Sequence, residues 1–282
     1  MTHGRRPGFT SGLTDGALPW QHGPVFQLEP ICAFTDNYVW LLRQPDSNVV
    51  VIIDPGEASP VLRILEKRSL TVAAILLTHH HGDHVGGVAG ILRKHPVPVF
   101  GPAWENISTV DHPVRGGDRV PLANFGLELD VIDVPGHTAG HISYLGPGFA
   151  LVGDTLFAGG CGRVFEGTME QMHHSLGQLA ALPPETLIFC AHEYTLANLR
   201  FALEVEPQNS VLQQRLTDAN RARAMDQPTV PSTLALELAT NPFLRCDQPD
   251  IVAAAEEYAG QPLASPTGVF AVIRGWKDGW RG

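Results

Sequence analysis

Thr78-His79-His80-His81-Gly82-Asp83-His84 is the stretch on which the reading of this chain turns. The apolar run before it, Val72-Ala73-Ala74-Ile75-Leu76-Leu77, predicts a buried strand. Gly82 breaks the pattern, so polar side chains are delivered at a strand's end, where layered α/β folds place their sites. His79 and His81 are two apart; in an extended chain they project to the same side, and both imidazoles can reach one metal ion. Asp83 and His84 follow the glycine and can turn toward a second ion. The bland alternative, a polar loop with a chance cluster of histidines, weakens with each further cluster downstream.

Upstream, Val25 to Phe34 and Tyr38 to Leu42 predict two strands joined by the turn Thr35-Asp36-Asn37. Val49-Val50-Val51-Ile52-Ile53 is β-branched throughout and gives the strongest strand signal. It ends at Asp54, for which two compatible roles are open: capping a helix over Ala58 to Lys67 and orienting the histidine loop. Downstream, Val85 to Lys94 predicts a helix and Val97 to Phe100 a short strand. Ile107 to Asp118 is polar and irregular, and Val120 to Val134 alternates as strands do. His95 and His112 have no ligand-type neighbours and read as surface residues.

Three more strand ends carry chemistry. Val131 to Val134 leads to Pro135-Gly136-His137-Thr138-Ala139-Gly140-His141, in which His137 is the candidate ligand and His141 a hydrogen-bonded structural residue. Phe149 to Val152 leads to Gly153-Asp154, a turn former by itself but, beside the histidines, a carboxylate with two oxygens to share between cations. Thr186 to Cys190 leads to His192-Glu193-Tyr194, where Glu193 is a solvated, capping or orienting residue. The glycine-rich loop from Gly159 to Gly167 holds Arg163 and Phe165 but lacks the Lys-Ser/Thr ending of a phosphate loop. Met169 to Ala181 predicts a helix whose His173 and His174 lie outside the site. After Tyr194 strand signals cease. Thr195–Glu204, Asn209–Ala224, Thr233–Ala239, Pro249–Ala259 and Pro266–Gly279 read as helices, punctuated by prolines.

The expected organisation is a tail over residues 1–24, a catalytic domain over 25–193 and an α-helical domain over 194–282. The chain has 282 residues, 44% hydrophobic and 17% charged, enough for a sizeable core. Its net charge of −10 argues against a nucleic-acid or anionic-membrane surface. The four cysteines, Cys32, Cys161, Cys190 and Cys246, are scattered and do not suggest a disulfide framework. No apolar run approaches the ~18 residues that span a bilayer, and Met1 to Gly23 lacks the apolar segment of a secretory signal. A cytoplasmic, reduced protein is expected, monomeric and without nucleic-acid or membrane partners.

Together His79, His81, Asp83, His84, His137, Asp154 and His192 suit divalent zinc, iron or manganese. Seven ligands exceed one tetrahedral site. They divide into His79, His81 and His137 for one ion and Asp83, His84 and His192 for another, with Asp154 bridging. Two ions ~3.5–4 Å apart lower the pKa of a shared water toward ~7 and polarise a carbonyl, which implies hydrolysis of an ester-like bond.

This pattern, with Asp54 ahead of it, resembles the metallo-β-lactamase superfamily. The resemblance implies an α/β fold, the four-layer αββα sandwich, followed here by a smaller all-α C-terminal domain. Phe34-Thr35-Asp36-Asn37-Tyr38, Gly160-Cys161-Gly162-Arg163-Val164-Phe165-Glu166-Gly167, His192-Glu193-Tyr194-Thr195 with Asn198-Leu199, and Thr240-Asn241-Pro242-Phe243-Leu244-Arg245 resemble the glyoxalase II family, the hydroxyacylglutathione hydrolases, from Val25 to the C-terminus. That likeness implies two divalent ions, zinc foremost, and hydrolysis of S-D-lactoylglutathione to D-lactate and glutathione. A bridging hydroxide would attack the thioester while Asp83 orients it as the catalytic carboxylate. It also implies glutathione contacts at Arg163, Phe165, Tyr194, Arg274 and Lys277, since guanidinium and ammonium groups suit carboxylates. Arg163 stands where the family often has lysine, and Phe165 where it often has tyrosine. The rival readings are another hydrolase of the superfamily, a mononuclear-iron glutathione persulfide dioxygenase, and a non-catalytic binding protein on the same fold.

Overall fold

The computed structural model describes residues 26–281. The tail expected over residues 1–24, and Val25 at the start of the first expected strand, lie outside the described residues. Gln27–Ala33 (β1), Asn37–Arg43 (β2) and Val49–Ile53 (β3) form an antiparallel meander. Ala58–Lys67 (α1) crosses over to Thr71–Leu76 (β4), which runs parallel to β3. Gly82–Val85 (α2) and Val88–Leu92 (α3) follow, then Val99–Pro102 (β5) and His112–Val114 (β6), completing a sheet in the order β1-β2-β3-β4-β5-β6.

The second sheet is built from Arg119–Leu122 (β7), Leu127–Asp133 (β8), Ile142–Gly146 (β9) and Phe149–Gly153 (β10). Leu156–Phe157 (β11) and Gly160–Cys161 (β12) make a small hairpin beside it. Met169–Ala180 (α4) leads to Leu187–Cys190 (β13), parallel to β10. Thr195–Val205 (α5), Ser210–Ala224 (α6), a two-residue strand Ser232–Thr233 (β14), Leu234–Thr240 (α7), Pro249–Ala259 (α8) and Pro266–Gly279 (α9) complete the chain. The sheet order is β14-β13-β10-β9-β8-β7.

The layers follow from the side-chain pattern. Tyr38, Trp40 and Leu42 of β2 and Val51 and Ile53 of β3 face Leu129 and Val131 of β8 and Tyr144 of β9 in the core between the sheets. The alternate residues Val39, Leu41, Val50 and Ile52 face outward under Val61 and Leu65 of α1 and Ile91 of α3. Strands β2 and β3 are therefore apolar on both faces, as central strands must be. Strand β8 alternates buried Leu127, Leu129 and Val131 with exposed Glu128 and Asp130, and α4 and the C-terminal helices pack with the second sheet. Truncating any of the fully buried leucines or isoleucines would cost about 2–5 kcal/mol.

One edge of the sandwich is sewn shut. The amide of Tyr38 donates to Ala191 O at 2.7 Å, that of Glu193 to Asp36 O at 2.8 Å, and that of Ile142 to Thr78 O at 3.0 Å. Trp40 Nε1 donates to Cys190 O at 2.9 Å and Tyr144 Oη to Leu77 O at 2.8 Å. Backbone and aromatic side chains thus tie the C-terminal ends of β4 and β13 across the two sheets.

The structure corrects several expectations. Asp54 does not cap α1, whose N-cap position is Glu57. The helix expected over Val85 to Lys94 is broken at Gly86-Gly87, because the Gly87 amide leaves the helix to donate to Pro55 O at 2.8 Å. Strand β6 lies inside the segment read as irregular. Strand β14 lies after Tyr194, held by pairing with the edge of β13.

Candidate metal centre

All seven candidate ligands come together at the sewn edge. His79, His81 and Asp83 leave the end of β4, and His84 sits on α2. His137 follows β8, Asp154 follows β10, and His192 follows β13. His79, His81 and His137 offer ligand atoms within 4.8 Å of one another, as do His79, His84 and Asp154, and Asp83, His84 and His192. Asp154 lies between the groups, with Oδ2 3.4 Å from both His137 Nε2 and His192 Nε2, and Oδ1 3.4 Å from His84 Nε2.

Each imidazole is aimed by the bond its other nitrogen makes. His84 Nδ1 donates to Asp54 Oδ2 at 3.1 Å, and His137 Nδ1 to Arg163 O at 2.8 Å. His192 Nδ1 donates to Asp36 Oδ1 at 3.0 Å. Thr78 Oγ1 donates to Asp54 Oδ2 and so accepts from His79 Nδ1 at 3.1 Å. These bonds place the lone pair of all four rings on Nε2, facing the centre. His81 instead turns Nδ1 inward, 3.0 Å from His137 Nε2. The buried atoms His79 Nε2, His84 Nε2 and Asp154 Oδ1 have no hydrogen-bond partner among the described residues. Buried polar groups are ordinarily paired; three unpartnered polar atoms drawn together fit divalent cations, and nitrogen and oxygen ligands suit zinc, iron or manganese.

The local backbone is shaped for this purpose. Asp54 holds a left-handed φ of 51° at the end of β3, which turns its carboxylate back to accept from the Thr78 amide and hydroxyl. A Cβ at Gly56 would stand 1.9 Å from the Asp83 carbonyl, so only glycine lets α2 approach. His141 is buried; its Nε2 accepts the Asp154 amide at 3.1 Å, the structural role expected from the sequence.

The electrostatics of the cage follow from burial and charge. Burial, reinforced by neighbouring imidazoles, holds His79 well below its ordinary value, and burial likewise lowers His137 and His81. Burial opposes charge at His84 too, but the carboxylates of Asp154, Asp54 and Asp83 outweigh it and hold His84 up at about 9. Burial would raise Asp154; His84, His192 and His137 outweigh it and keep the acid well below the usual carboxylate range. Asp83 is held low in the same way, against burial, by His84 and by Asn37 Nδ2, which donates to its Oδ2 at 3.0 Å.

The five candidate substrate residues divide. Phe165 is exposed and sits edge-on to His137 and His81, with ring centres 5.3 and 5.8 Å apart. Tyr194 stacks on His192 at 4.6 Å. Arg163 is exposed at the rim, with Nε donating to Asp278 Oδ1 at 2.9 Å. Lys277 Nζ donates to Ala197 O at 3.1 Å, and burial brings its pKa down to about 8. Arg274 is buried: its guanidinium donates to Cys161 O at 3.0 Å and to Asp278 Oδ1 at 3.1 Å. Sequence reasoning passed over Asp36 and Asn37, read only as a turn, because their partners are 156 and 46 residues away. Glu193 is neither solvated nor a cap; it accepts from Tyr38 Oη and from the amide and hydroxyl of Thr229. His80 spans Glu105 at 2.9 Å and Glu166 at 3.2 Å. His112 is exposed on β6, while His173 stacks on Phe270 away from the cage.

Residues 33–192 match the family model of the metallo-β-lactamase superfamily, and residues 193–280 match that of the hydroxyacylglutathione hydrolase C-terminus. The hydroxyacylglutathione hydrolase of Halorhodospira halophila is 55% identical over 250 residues, covering 89% of this chain and 98% of the relative. Among solved structures, ETHE1 from Myxococcus xanthus superposes with a TM-score of 0.60 at 23% identity, over 90% of this chain and 98% of that one. TTHA1623, solved in a di-iron-bound form, superposes with a TM-score of 0.53 at 26% identity, over 78% and 99%. With the αββα sandwich and its helical appendage in place, the chain belongs to the hydroxyacylglutathione hydrolase family of the metallo-β-lactamase superfamily.

Proposed function

We propose that the protein is a thioesterase that hydrolyses S-D-lactoylglutathione, and S-(2-hydroxyacyl)glutathiones as a class, to the hydroxy acid and glutathione. The observation that carries this reading is the convergence of His79 Nε2, His84 Nε2 and Asp154 Oδ1, buried and without partners among the described residues, on a cage of seven donors. His79, His81 and His137 would hold one divalent ion; Asp83, His84 and His192 would hold a second; Asp154 would serve both. Zinc is the first choice for both sites. The structural relative TTHA1623, with two irons, supports a dinuclear centre. When bound, such a pair supplies Lewis acidity and activates water near neutral pH.

The chain's own groups do the rest. Asp83 Oδ2, steadied by Asn37 and half open to solvent, is placed to orient the attacking water and accept its hydrogen bond. Phe165 and Tyr194 flank the opening and exclude water from the thioester. Arg163 and Lys277 supply positive charge for the glutathione carboxylates. Residues 25–193 form the catalytic unit and 194–282 the substrate-binding unit of a monomeric cytoplasmic enzyme. Among the described residues no helix is long and apolar enough to cross a membrane.

The test is loss of thioester absorbance with S-D-lactoylglutathione, with and without chelator, on the wild type, Asp154→Ala and His192→Ala. Turnover should vanish on chelation and in both variants, with lowered metal content. A chelated protein that keeps its full rate would overturn the reading. Oxygen consumption with glutathione persulfide and one iron per chain would favour the dioxygenase instead.

A further inference from the structure

His80 is the one histidine of its triplet that stays out of the cage, and its ring sits between two carboxylates. Nδ1 donates to Glu105 Oε2 at 2.9 Å, and Nε2 lies 3.2 Å from Glu166 Oε1. The other oxygen of each carboxylate serves the loop after β8. Glu105 Oε1 accepts from the hydroxyl of buried Thr138, and Glu166 Oε2 accepts the Ala139 amide at 3.0 Å. The Glu105 side chain is only 2% exposed, although it stands on the loop after β5 beside the exposed Trp104. A Cβ at Gly140 would lie 2.6 Å from Glu105 Cγ, so the loop after β8 closes over this carboxylate because glycine is there.

The place of this clasp gives it a role. The glycine-rich loop and the loop after β8 are laced by their backbones: the Phe165 amide donates to His137 O at 3.2 Å and the Gly167 amide to Gly136 O at 3.1 Å. Glu105, His80 and Glu166 tie that pair of loops to the histidine loop. The residues they grip are chain neighbours of a single set of ligands. His80 stands between His79 and His81, Thr138 and Ala139 follow His137, and Glu166 follows Phe165. Among the described residues, no side-chain bond of the clasp reaches Asp83, His84 or His192. We infer that Glu105, His80 and Glu166 are positioning residues that set the spacing of His79, His81 and His137, and the place of Phe165, and so strengthen the hold on one cation of the pair while leaving the other alone. The assignment to one cation rests on the two-ion reading above; the tie between the loops does not.

The experiment titrates zinc against a chromophoric chelator in the wild type, His80→Ala, Glu105→Ala, Glu105→Gln and the double variant Glu105→Ala/Asp36→Ala. Amide exchange over residues 136–140 and 163–167 is measured in the same proteins before zinc is added. The clasp touches the neighbours of the ligands and not their rings, so the loss should lie at or below the low end of what a direct orienting partner gives. One zinc should weaken about three- to tenfold in Glu105→Ala and in His80→Ala, and exchange in both loops should quicken. The new amide in Glu105→Gln keeps an acceptor for Thr138 and can donate to Nδ1 of a neutral His80 ring, so this variant should recover most of the wild-type affinity. Asp36 holds His192, a ligand of the other set, so in the double variant both zinc ions should be weak and the two effects should add. The His80 side chain is 33% exposed, and His80→Ala carries the test if Glu105→Ala does not fold. Wild-type zinc midpoints in His80→Ala would overturn the inference, and so would a double variant that keeps one zinc at full strength. If the wild type itself takes up a single zinc, the two-ion reading fails, and loop exchange still decides the tie: faster exchange upholds it and unchanged exchange overturns it.

Discussion

Replacing Asp54 with asparagine changes one atom at the heart of the cage. The carboxylate accepts from the Thr78 amide at 2.8 Å, from the Thr78 hydroxyl at 2.7 Å and from His84 Nδ1 at 3.1 Å. The amide must keep an acceptor at Oδ1, so its nitrogen takes the place of Oδ2. The Thr78 hydroxyl can reverse and accept from it. The imidazole has no such freedom unless it moves its proton to Nε2, the atom that must coordinate. Losing the hydrogen bond to a charged acceptor is worth about 1.5–3 kcal/mol. Substitutions of such orienting partners elsewhere cost ~10–100-fold in metal affinity, about 1.4–2.8 kcal/mol at 1.4 kcal/mol per decade. Two independent estimates thus agree on Asp54→Asn. The assay is zinc titration against a chromophoric chelator, with the number of ions per chain counted at each step. On the dinuclear reading proposed above, one ion should be held as in the wild type and the other, at His84, ten- to a hundredfold more weakly. An Asp54→Asn protein that binds both ions with wild-type midpoints would refute the reasoning that Asp54 sets the His84 tautomer.

Three further outcomes follow from the same geometry. Asp36→Ala removes the acceptor of His192 Nδ1, so the ion proposed at Asp83, His84 and His192 should weaken ~10–100-fold, read as substoichiometric metal after gel filtration. Gly56→Ala drives a Cβ to 1.9 Å from the Asp83 carbonyl; overpacking backbone on backbone should cost about 1–3 kcal/mol, measured as a lower Tm by calorimetry. Burial brings Lys277 down to about 8, so its charge disappears as pH rises through that value and KM for the glutathione thioester should climb above it; Lys277→Arg should stay flat. Because the folded value lies below the unfolded one, burying Lys277 costs stability fully below about pH 8, and that cost is relieved as pH rises toward the unfolded value of ~10.4.

The legible part of this chain was the part governed by local periodicity. Val49–Ile53, Ala58–Lys67, Pro249–Ala259 and Pro266–Gly279 form the elements their patterns predict. The candidate ligands stood out because each follows a strand and has a side chain of a type that coordinates metals. Strand β9 was missed because Ser143 interrupts its apolar run and Tyr144 buries its ring only by reaching Leu77 O. The breaks in α2 and α3, the short β14 and the burial of Arg274 all depend on partners distant in sequence: Pro55, β13 and Cys161. Spacing placed Arg274 and Lys277 on one helical face; only packing distinguishes the one that enters the interior from the one that stays half-buried at the rim.

The seam between the sheets has a mechanical meaning. Layers of a sandwich ordinarily slide or rock over a greasy interior, yet here the amides of Tyr38, Ile142 and Glu193 and the ring groups of Trp40 and Tyr144 act as stitches along one border. Any breathing of the two leaves must therefore pivot about that border like a book about its spine, and the candidate cage lies at the spine itself.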